Sequence, residues 1–599
     1  MKNVSYRNVN ITGGFWKNRQ DLNADVTEQQ VYDCFAETYR FDALNCRRSE
    51  ERDYTPHVYW DSDVAKWIEG VAYILDKGER AELRALARGA IDTILKNQTP
   101  EGYFNSHFQA VEPENRFTDR NLHELYCAGQ LMEAACAWYH VTGERDFLDA
   151  MCRYADYIYD YFLVRQAAPY ATPGHEEIEL ALVRLWDTTK NEKYRDLAWF
   201  FLQKRGSNEK DAPVRDWANQ YYSQDQLPLA EQRTAEGHCV RAMYIYCAMA
   251  DAVYRGQDQY AEAIDALFDD VLDHKMYITG GIGSNRLGES FAIPYYLPND
   301  EAYTETCAAI SLAMFSLRLQ QLKPDSRYGD TVERVIYNGM LSGVGVAGKT
   351  FFYTNPLEID PVFYDVNTST KNKRWRPAMK RPEVFNCSCC PPNVVRFLAS
   401  LGDYIYSTDG NTLFVNQFMA SEAEVDGGKV TQTTNYPMDG TVMVKAEGKR
   451  IAVRIPGWCR SFTASAPYTM KNGYAHFETG EVTVNFDMPV TLVEADARVQ
   501  NNAGRVAVTR GPVVYCLEEP DNGKLLRSVR IDHAVQFAVE DHALFGLPTL
   551  TVMGEKKKQS QGLYQIYCPD YEEKKLTFIP YFAFANRGVS EMLVWVAVK

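Results

Sequence analysis

The sequence predicts a multidomain protein with an N-terminal all-α (α/α)6 barrel followed by a C-terminal all-β sandwich region. Three observations predict this: a length of 599 residues, a run of amphipathic helices over about 60–405, and a change of texture after about 405. One hydrophobic core rarely organises more than about 250–300 residues, so two or three domains are expected. We expect the barrel over 1–405, a β-sandwich over 406–520, and over 521–599 a second β-rich domain or a continuation of the sandwich.

The helical part is recognised by apolar residues at i, i+3/i+4 and i+7, separated by short polar breaks. Examples are ERAELRALARGAIDTILKNQ, NLHELYCAGQLMEAACAWYHVTG and GHCVRAMYIYCAMADAVYRGQDQYAEAIDALFDDVL. A degenerate repeat runs through it, in which a polar turn is followed by an aromatic residue that opens the next helix: Phe147, Tyr194, Tyr260 and Tyr328. Repeated hairpins over about 350 residues predict a closed ring of six helix pairs, with an open helical stack as the alternative.

The C-terminal part reads as strands. NTLFVNQFMA, GTVMVKAEG, KRIAVRIPGW, EVTVNFDMPVTLVEA and GRVAVTRGPVVYCLE are alternating runs separated by Gly, Asp and Asn turns, which is typical of a β-sandwich. The region near 519–560 looks rich in loops.

Composition and charge exclude several classes of function. The net charge is −16, and no cluster of Lys and Arg is long enough to follow a phosphate backbone, so nucleic acid and anionic membranes are not expected partners. No window approaches the roughly 18 apolar residues of a membrane span, and the N-terminus lacks the apolar core of a signal peptide, so we expect a cytoplasmic protein. Fourteen cysteines are too few for a disulfide scaffold, and clustered thiols then indicate metal binding or catalysis.

The densest thiol cluster lies in NCSCCPPN, residues 386–393. Cys389 and Cys390 offer two thiolates to one zinc ion, and we expect Pro391 to hold Cys390 extended. The following NVVRFLASLGDYIY looks helical, with a proline suited to its first turn. A thiolate at such a helix start can be a metal ligand, a nucleophile or both. The local sequence leaves open a structural zinc knot or simply packed thiols.

A second cluster lies at GGIGSNRLGESFAIPYYLPNDEAYTETCAA, residues 280–309. Glu305 and Cys307 stand two apart at the start of an apolar helix and would complete a Cys3Glu zinc shell, while Glu289 lies in a Gly-rich loop and remains free for proton transfer. The alternative is that Glu305 is a carboxylate favoured by the helix dipole and that Cys307 belongs to the core. The GGIGS run lacks the lysine of a phosphate-binding loop.

Three histidines stand near the starts of different helices: His123, His175 and His238. They could converge at the mouth of the barrel and hydrogen-bond hydroxyl groups, as could Tyr353 in FFYTNPLE. Taken singly, each of them is more often an ordinary satisfied polar residue than a functional one.

Together these segments resemble glycoside hydrolase family 127, the β-L-arabinofuranosidases. The motifs that carry the resemblance are PGHEEIELALVRL, GHCVRAMY, GIGSNRLGESF, AYTETCA, FFYTNPLE and CSCCPPN, in order through about residues 55–405.

The resemblance implies a retaining exo-glycosidase that releases a terminal β-L-arabinofuranosyl residue and requires Zn²⁺. It implies roles for the following residues: Cys389 as nucleophile, Glu289 as general acid/base, Glu305, Cys307, Cys389 and Cys390 as zinc ligands, and His123, His175, His238 and Tyr353 as sugar contacts. It assigns nothing to Cys387.

Several alternatives remain open. The same machinery could act on another glycone, such as an acidic or branched pentose, or the protein could bind carbohydrate around a structural zinc without catalysis. A sugar epimerase or lyase on the same barrel would need no zinc. The expected substrate is a short oligosaccharide or glycoside, and a homodimer is the oligomeric state that the β-rich tail would permit.

Overall fold

A computed structural model describes residues 1–50, 53–207, 219–363, 377–383, 387–540, 545–558, 562–564 and 566–599 of the protein. The protein is multidomain, with a helical N-terminal region followed by β-rich C-terminal domains. Asn386 of the thiol cluster lies outside the described residues.

The described residues form sixteen α-helices. They are α1 Gly14–Leu22, α2 Glu28–Glu37, α3 Arg40–Ala43, α4 Trp60–Leu75, α5 Ala81–Asn97, α6 Ser106–Ala110, α7 Glu124–Thr142, α8 Asp146–Tyr159, α9 Ile178–Thr189, α10 Glu192–Lys204, α11 Cys239–Tyr254, α12 Ala261–Asp270, α13 Thr306–Leu322, α14 Ser326–Arg334, α15 Cys390–Ala399 and α16 Glu519–Asn522.

Six of these helices contact one another in a closed cycle, in the order α4, α7, α9, α11, α13, α15 and back to α4. A second set, α2, α5, α8, α10, α12 and α14, packs outside them, each against one or two helices of the cycle. The repeated aromatic residues open or immediately precede α8, α10, α12 and α14, and all four are buried: Phe147, Tyr194, Tyr260 and Tyr328. The repeat therefore marks the point where each of these outer helices docks onto the core.

The described residues also form twenty-two strands. They are β1 Lys2–Asn3, β2 Val9–Ile11, β3 Glu358–Ile359, β4 Tyr406–Thr408, β5 Thr412–Val415, β6 Ser421–Val425, β7 Gly428–Thr434, β8 Thr441–Ala446, β9 Arg450–Arg454, β10 Phe462–Ala464, β11 Thr469–Lys471, β12 Tyr474–Phe477, β13 Glu481–Phe486, β14 Val490–Val493, β15 Arg505–Arg510, β16 Val513–Glu518, β17 Val529–Ile531, β18 Ala538–Glu540, β19 Thr549–Lys557, β20 Tyr571–Pro580, β21 Met592–Leu593 and β22 Trp595–Val598.

The strands form three sheets. Two have six strands each, in the orders β1-β4-β5-β9-β12-β11 and β10-β13-β8-β7-β6-β2, and the third runs β14-β15-β22-β17-β19-β20-β16-β21-β3 with β18 beside β19. Strand β8 alternates exposed and buried side chains along its whole length, which is the period-2 pattern read from the sequence. The region 519–560 is less loop-rich than expected, because β19 pairs with β20 over eight consecutive residue pairs.

Residue 520, the expected boundary or point of continuation, lies in α16 between β16 and β17 of the third sheet. The division at 405, 520 and 599 stays a prediction.

Strand pairing and hydrogen bonds join the helical region to the sheets. Strand β3 pairs with β21, and the Tyr581 hydroxyl donates to the carbonyls of Asn355 and Pro356, 3.0 Å away in both cases. Arg381 is 2% exposed, and its guanidinium donates to the carbonyls of Ser342 and Phe582 and stacks on the ring of Phe352. These bonds satisfy buried carbonyls across the junction and fix the segment that carries Tyr353.

Within the described ranges, no helix is long and apolar enough to cross a membrane. All fourteen cysteines lie in these ranges, and all are free thiols.

Candidate active site

For five of the six helices of the closed cycle, the residue that immediately precedes the helix lies around one space. These residues are Tyr59, His123, His238, Glu305 and Cys389. The first-turn N–H groups of a helix have no partner within the helix and carry partial positive charge. The helix starts that border this space therefore favour negative charge there.

The predicted metal ligands meet in this space. The Sγ atom of Cys307 is 3.7 Å from that of Cys389 and 3.3 Å from that of Cys390, and the last two sulfurs are 3.7 Å apart. Oε1 of Glu305 lies 3.5 Å from the Cys389 sulfur and 3.8 Å from the Cys390 sulfur. One ligand atom from each of the four residues lies within 4.8 Å of the others.

This donor set fits zinc. In a tetrahedral site with Zn–S bonds of about 2.3 Å, the sulfur atoms are about 3.8 Å apart, close to the spacing seen here. The second carboxylate oxygen of Glu305 is buried without a hydrogen-bond partner among the described residues, which leaves it available to a cation. Burial, and after it the adjacent Cys389 and Glu289, raise the pKa of Glu305 well above its usual range.

Two helix starts hold these ligands. Glu305 precedes α13 and Cys307 is its second residue, so the Glu-x-Cys spacing puts both on the first turn. Cys389 precedes α15, and Cys390 is the first residue of that helix. The expectation that Pro391 keeps Cys390 extended is therefore wrong. Prolines are tolerated in the first turn because the N–H groups they lack have no helical partner there.

Glu289 stands beside the metal ligands on the Gly-rich loop. Its φ is 51° and that of Gly288 is 70°, so the loop turns sharply through left-handed backbone, and the N–H of Phe291 fixes it to the Gly237 carbonyl at 2.9 Å. The Glu289 side chain is 33% exposed, whereas Glu305, Cys307 and Cys390 are at most 2% exposed, so Glu289 is accessible to a ligand in the space.

Glu289 is hydrogen-bonded as a carboxylate. His238 Nε2 is 3.1 Å and the Tyr353 hydroxyl 3.2 Å from its Oε2. The backbone N–H of Arg241 points at His238 Nδ1 at 3.5 Å, which assigns that nitrogen as acceptor and leaves Nε2 to donate to Glu289. Burial works to raise the pKa of Glu289, but the bonds from His238, Tyr303 and Tyr353 outweigh it and hold the pKa at about 2.

The three predicted histidines form a row. Ring centroids of His123 and His175 are 5.6 Å apart, and those of His175 and His238 are also 5.6 Å apart. Burial lowers the pKa of all three, for His123 to about 3, so neutral imidazoles line the space. His123 Nδ1 is buried and has no partner among the described residues, so one hydrogen-bonding position in the row is free.

Tyr353 connects the start of α13, which carries metal ligands, with Glu289. Its carbonyl accepts from Thr306 N–H at 2.9 Å at the start of α13, and its hydroxyl reaches Glu289. The Cys387 sulfur lies 4.0 Å from that hydroxyl. A hydrogen bond with Cys389, together with burial, raises the pKa of Cys387, so this thiol stays protonated next to the cluster.

Sequence reasoning missed three polar residues of the site. Lys66 of α4 donates to the Tyr126 hydroxyl at 3.0 Å and lies 3.4 Å from the Cys389 carbonyl, and Tyr303 bonds Glu289. The signal for Lys66 was its place in VAKWI, where a lone lysine interrupts a short apolar run of helix. Tyr126 and Tyr303 had no such signal among the 39 tyrosines of the chain.

Comparisons with known proteins cover the whole chain. The family profile described as the β-L-arabinofuranosidase GH127 catalytic domain matches residues 8–403, the GH127 middle domain matches 412–482, and the GH127 C-terminal domain matches 490–597.

Curated and solved relatives agree with the profiles. The non-reducing end β-L-arabinofuranosidase of Bifidobacterium longum subsp. longum is 31% identical over 662 aligned positions, which cover 98% of this chain and 99% of that protein. The crystal structure of a GH127 β-L-arabinofuranosidase from Geobacillus stearothermophilus T6 superposes with a TM-score of 0.92 at 38% identity, covering 99% of this chain and all of that one. A second GH127 β-arabinofuranosidase structure gives 0.89 at 32% identity, with 100% and 98% covered.

Proposed function

The chain belongs to glycoside hydrolase family 127 and is a glycoside hydrolase, and from this premise we propose that it releases a terminal β-L-arabinofuranosyl residue from a short oligosaccharide or glycoside, with retention at the anomeric carbon. The observation that carries the proposal is the meeting of three thiols and one carboxylate with a second, hydrogen-bonded carboxylate beside them. The relatives' activities support the choice of sugar.

In the first step Cys389 is the nucleophile and Glu289 the general acid. The Cys389 thiolate attacks the anomeric carbon, the bond from that carbon to the leaving oxygen breaks, and Glu289 delivers a proton to that oxygen. In the free protein Glu289 is a carboxylate, so it must gain that proton as the substrate binds. Substrate hydroxyls that take the hydrogen bonds of His238 and Tyr353 remove what holds its pKa low, and the pKa rises.

In the second step the roles reverse. Glu289, now a carboxylate, accepts a proton from water as the water oxygen attacks the anomeric carbon. The carbon–sulfur bond breaks, and its electron pair returns to Cys389 as thiolate. Two displacements at one carbon give net retention.

Zinc, when bound by Glu305, Cys307, Cys389 and Cys390, would keep the ligand thiols deprotonated. The chain itself fixes their positions at the starts of α13 and α15. A thiolate held in this way is both aimed at the anomeric carbon and a better leaving group than a free thiol's conjugate base.

The row of His123, His175 and His238, with Tyr353, is proposed to bind the sugar hydroxyls. Neutral imidazoles both donate and accept, which suits hydroxyl groups. We further propose that the closed cycle of six helices is the inner wall of an (α/α)6 barrel, that the sheets form β-sandwich domains, and that the protein works in the cytoplasm. Fourteen free thiols, four of them close together at the site, support a reducing compartment.

The test is a panel of aryl and disaccharide furanosides, with NMR of the sugar first released and zinc analysis of the same preparation. We expect cleavage of terminal β-L-arabinofuranosides, the β anomer as first product, and about one zinc per chain. Release of the α anomer would contradict the two-step mechanism. Activity on a different glycone only would contradict the choice of sugar and leave the mechanism intact.

A further inference from the structure

A buried lysine, Lys66, lies next to the backbone of the proposed nucleophile, Cys389. Lys66 is 1% exposed, and its ammonium bonds the Tyr126 hydroxyl at 3.0 Å and the Cys389 carbonyl at 3.4 Å. No carboxylate of the described residues lies within 4.0 Å of it, although Arg40 and Arg396 in the same region are ion-paired with Asp63 and Glu69. Buried lysines are rarely left without an anion.

The metal site supplies the missing anion. Three thiolates and one carboxylate carry four negative charges and a zinc ion two positive ones, so the filled site is a buried dianion. Burying such a charge is costly unless a cation or oriented dipoles compensate it. The helix starts supply dipoles, and Lys66 supplies a full charge.

We infer that Lys66 is the counter-cation of the metal–thiolate site: its ammonium offsets part of the excess negative charge and holds Cys389 in place through the carbonyl. This inference rests on the proposed zinc-and-cysteine function. Lys66 touches neither substrate nor metal, so it is a positioning residue that acts through Cys389 and its neighbours.

The role has a consequence for the two steps of the reaction. Attack by Cys389 removes one negative charge from the site, and departure of the sugar restores it. A fixed ammonium therefore assists the second step, in which the carbon–sulfur bond breaks and sulfur regains its charge, more than it assists the first.

The first test measures zinc affinity in the absence of substrate. We expect Lys66→Met, which keeps the length of the side chain and removes its charge, to weaken zinc binding by about 10- to 100-fold in competition with a chromogenic chelator. Lys275→Met is the matched control, because Lys275 is also a buried lysine but is ion-paired with Asp270 at 2.9 Å. Its loss should change thermal stability and leave the zinc dissociation constant unchanged.

A double-mutant cycle separates charge from packing. Glu305→Gln lowers the negative charge of the site by one, so Lys66→Met should cost distinctly less zinc affinity in that background than in the wild type. Equal fold-losses in both backgrounds would mean that Lys66 acts by packing alone, and would overturn the inference.

Kinetics with an aryl glycoside give an independent readout. Lys66→Met should lower kcat while kcat/KM changes much less, because only the second step is slowed and the glycosylated Cys389 accumulates. Equal losses in both parameters would count against the proposed role.

If Lys66→Met does not fold, Lys66→Gln takes its place, and the rise in melting temperature on adding zinc is compared within each protein, so that damage to the fold cancels. A smaller rise than in the wild type supports the inference. If the wild type binds zinc and the variant shows the same zinc affinity or the same rise in melting temperature, the inference about Lys66 is overturned and the proposed function stands. If the wild type takes up no zinc, the proposed function is overturned as well.

Discussion

The metal side and the sugar side of the site are built in different ways. Glu305, Cys307 and Cys390 are at most 2% exposed and come, with Cys389, from the first turns of two helices that contact each other. The sugar side takes its residues from five separate segments: His123, His175, His238, Glu289 and Tyr353. Two of these residues, His123 and Glu289, have left-handed backbone conformations.

The difference shows how one site can be rigid and adaptable at once. Ligands on paired helix starts cannot move without moving the helices, which suits a metal that demands fixed geometry. The sugar side keeps a free hydrogen-bonding atom on His123 and a partly exposed Glu289, which suits groups that must exchange partners when substrate arrives. Mutations on the two sides should therefore separate zinc content from catalysis.

The largest effect is expected from a metal ligand. Cys307→Ala removes one of four ligands and should abolish zinc retention and lower activity by about 10³-fold or more, measured by metal analysis and hydrolysis of an aryl arabinofuranoside. Cys459→Ala, a free thiol of the β-rich region, is the control and should change neither. Full zinc content in Cys307→Ala would contradict the assignment of Cys307 as a metal ligand.

The next effect isolates the proton-transfer group. Glu289→Gln keeps the size of the side chain and should lower kcat by about 10²- to 10⁴-fold while zinc content stays at the wild-type level. Glu262→Gln is the control, on a side chain that is 89% exposed. Loss of zinc from Glu289→Gln would show that the two sides are not independent.

A moderate effect is expected from the histidine row. His123→Phe keeps an aromatic side chain and removes both ring nitrogens, so it should lower kcat/KM by about tenfold, mainly through KM, and leave zinc content unchanged. His140→Phe, which lies outside the site and contacts Thr188, is the matched control. An unchanged KM would remove His123 from the proposed sugar contacts.

The smallest effect on activity is expected from the junction. Arg381→Met leaves several buried carbonyls without donors and should cost about 2–4 kcal/mol of stability, read as a lower first thermal transition. Because Arg381 contacts no metal ligand and no proposed sugar contact directly, and acts only through the segment that carries Tyr353, kcat/KM should fall less than about threefold. Arg498→Met, at an exposed ion pair with Asp496, should change neither quantity.

The metal side could be predicted from sequence because its geometry is local. Glu305 with Cys307, and Cys389 with Cys390, are close in the chain, and helix periodicity puts each pair on one turn. Only the meeting of the two turns required the fold. The prediction of an extended backbone at Cys390 was wrong. A residue before proline generally prefers an extended conformation, but this preference is weakest at the start of a helix.

The sugar side required more than periodicity. His123 and His238 are the N-caps of α7 and α11, and His175 lies two residues before the N-cap of α9, so their meeting follows from the closed cycle rather than from spacing. The resemblance to glycoside hydrolase family 127 predicted those histidines, but it predicted neither Lys66 nor Tyr303. Lys66 is 323 residues away from Cys389 in the chain, and Tyr303 is one of 39 tyrosines, so no local pattern records either role.

The strands β1 and β2 carry a consequence for how the protein is made. They pair with β4 and β6, so these strands find their partners only after about 400 more residues have been synthesised. The Met1 amine also donates to the Gln321 carbonyl at 2.8 Å, which ties the same segment to the end of α13. The helical region therefore cannot complete its fold during its own translation, and the N-terminal strands must wait for the β-rich region to emerge.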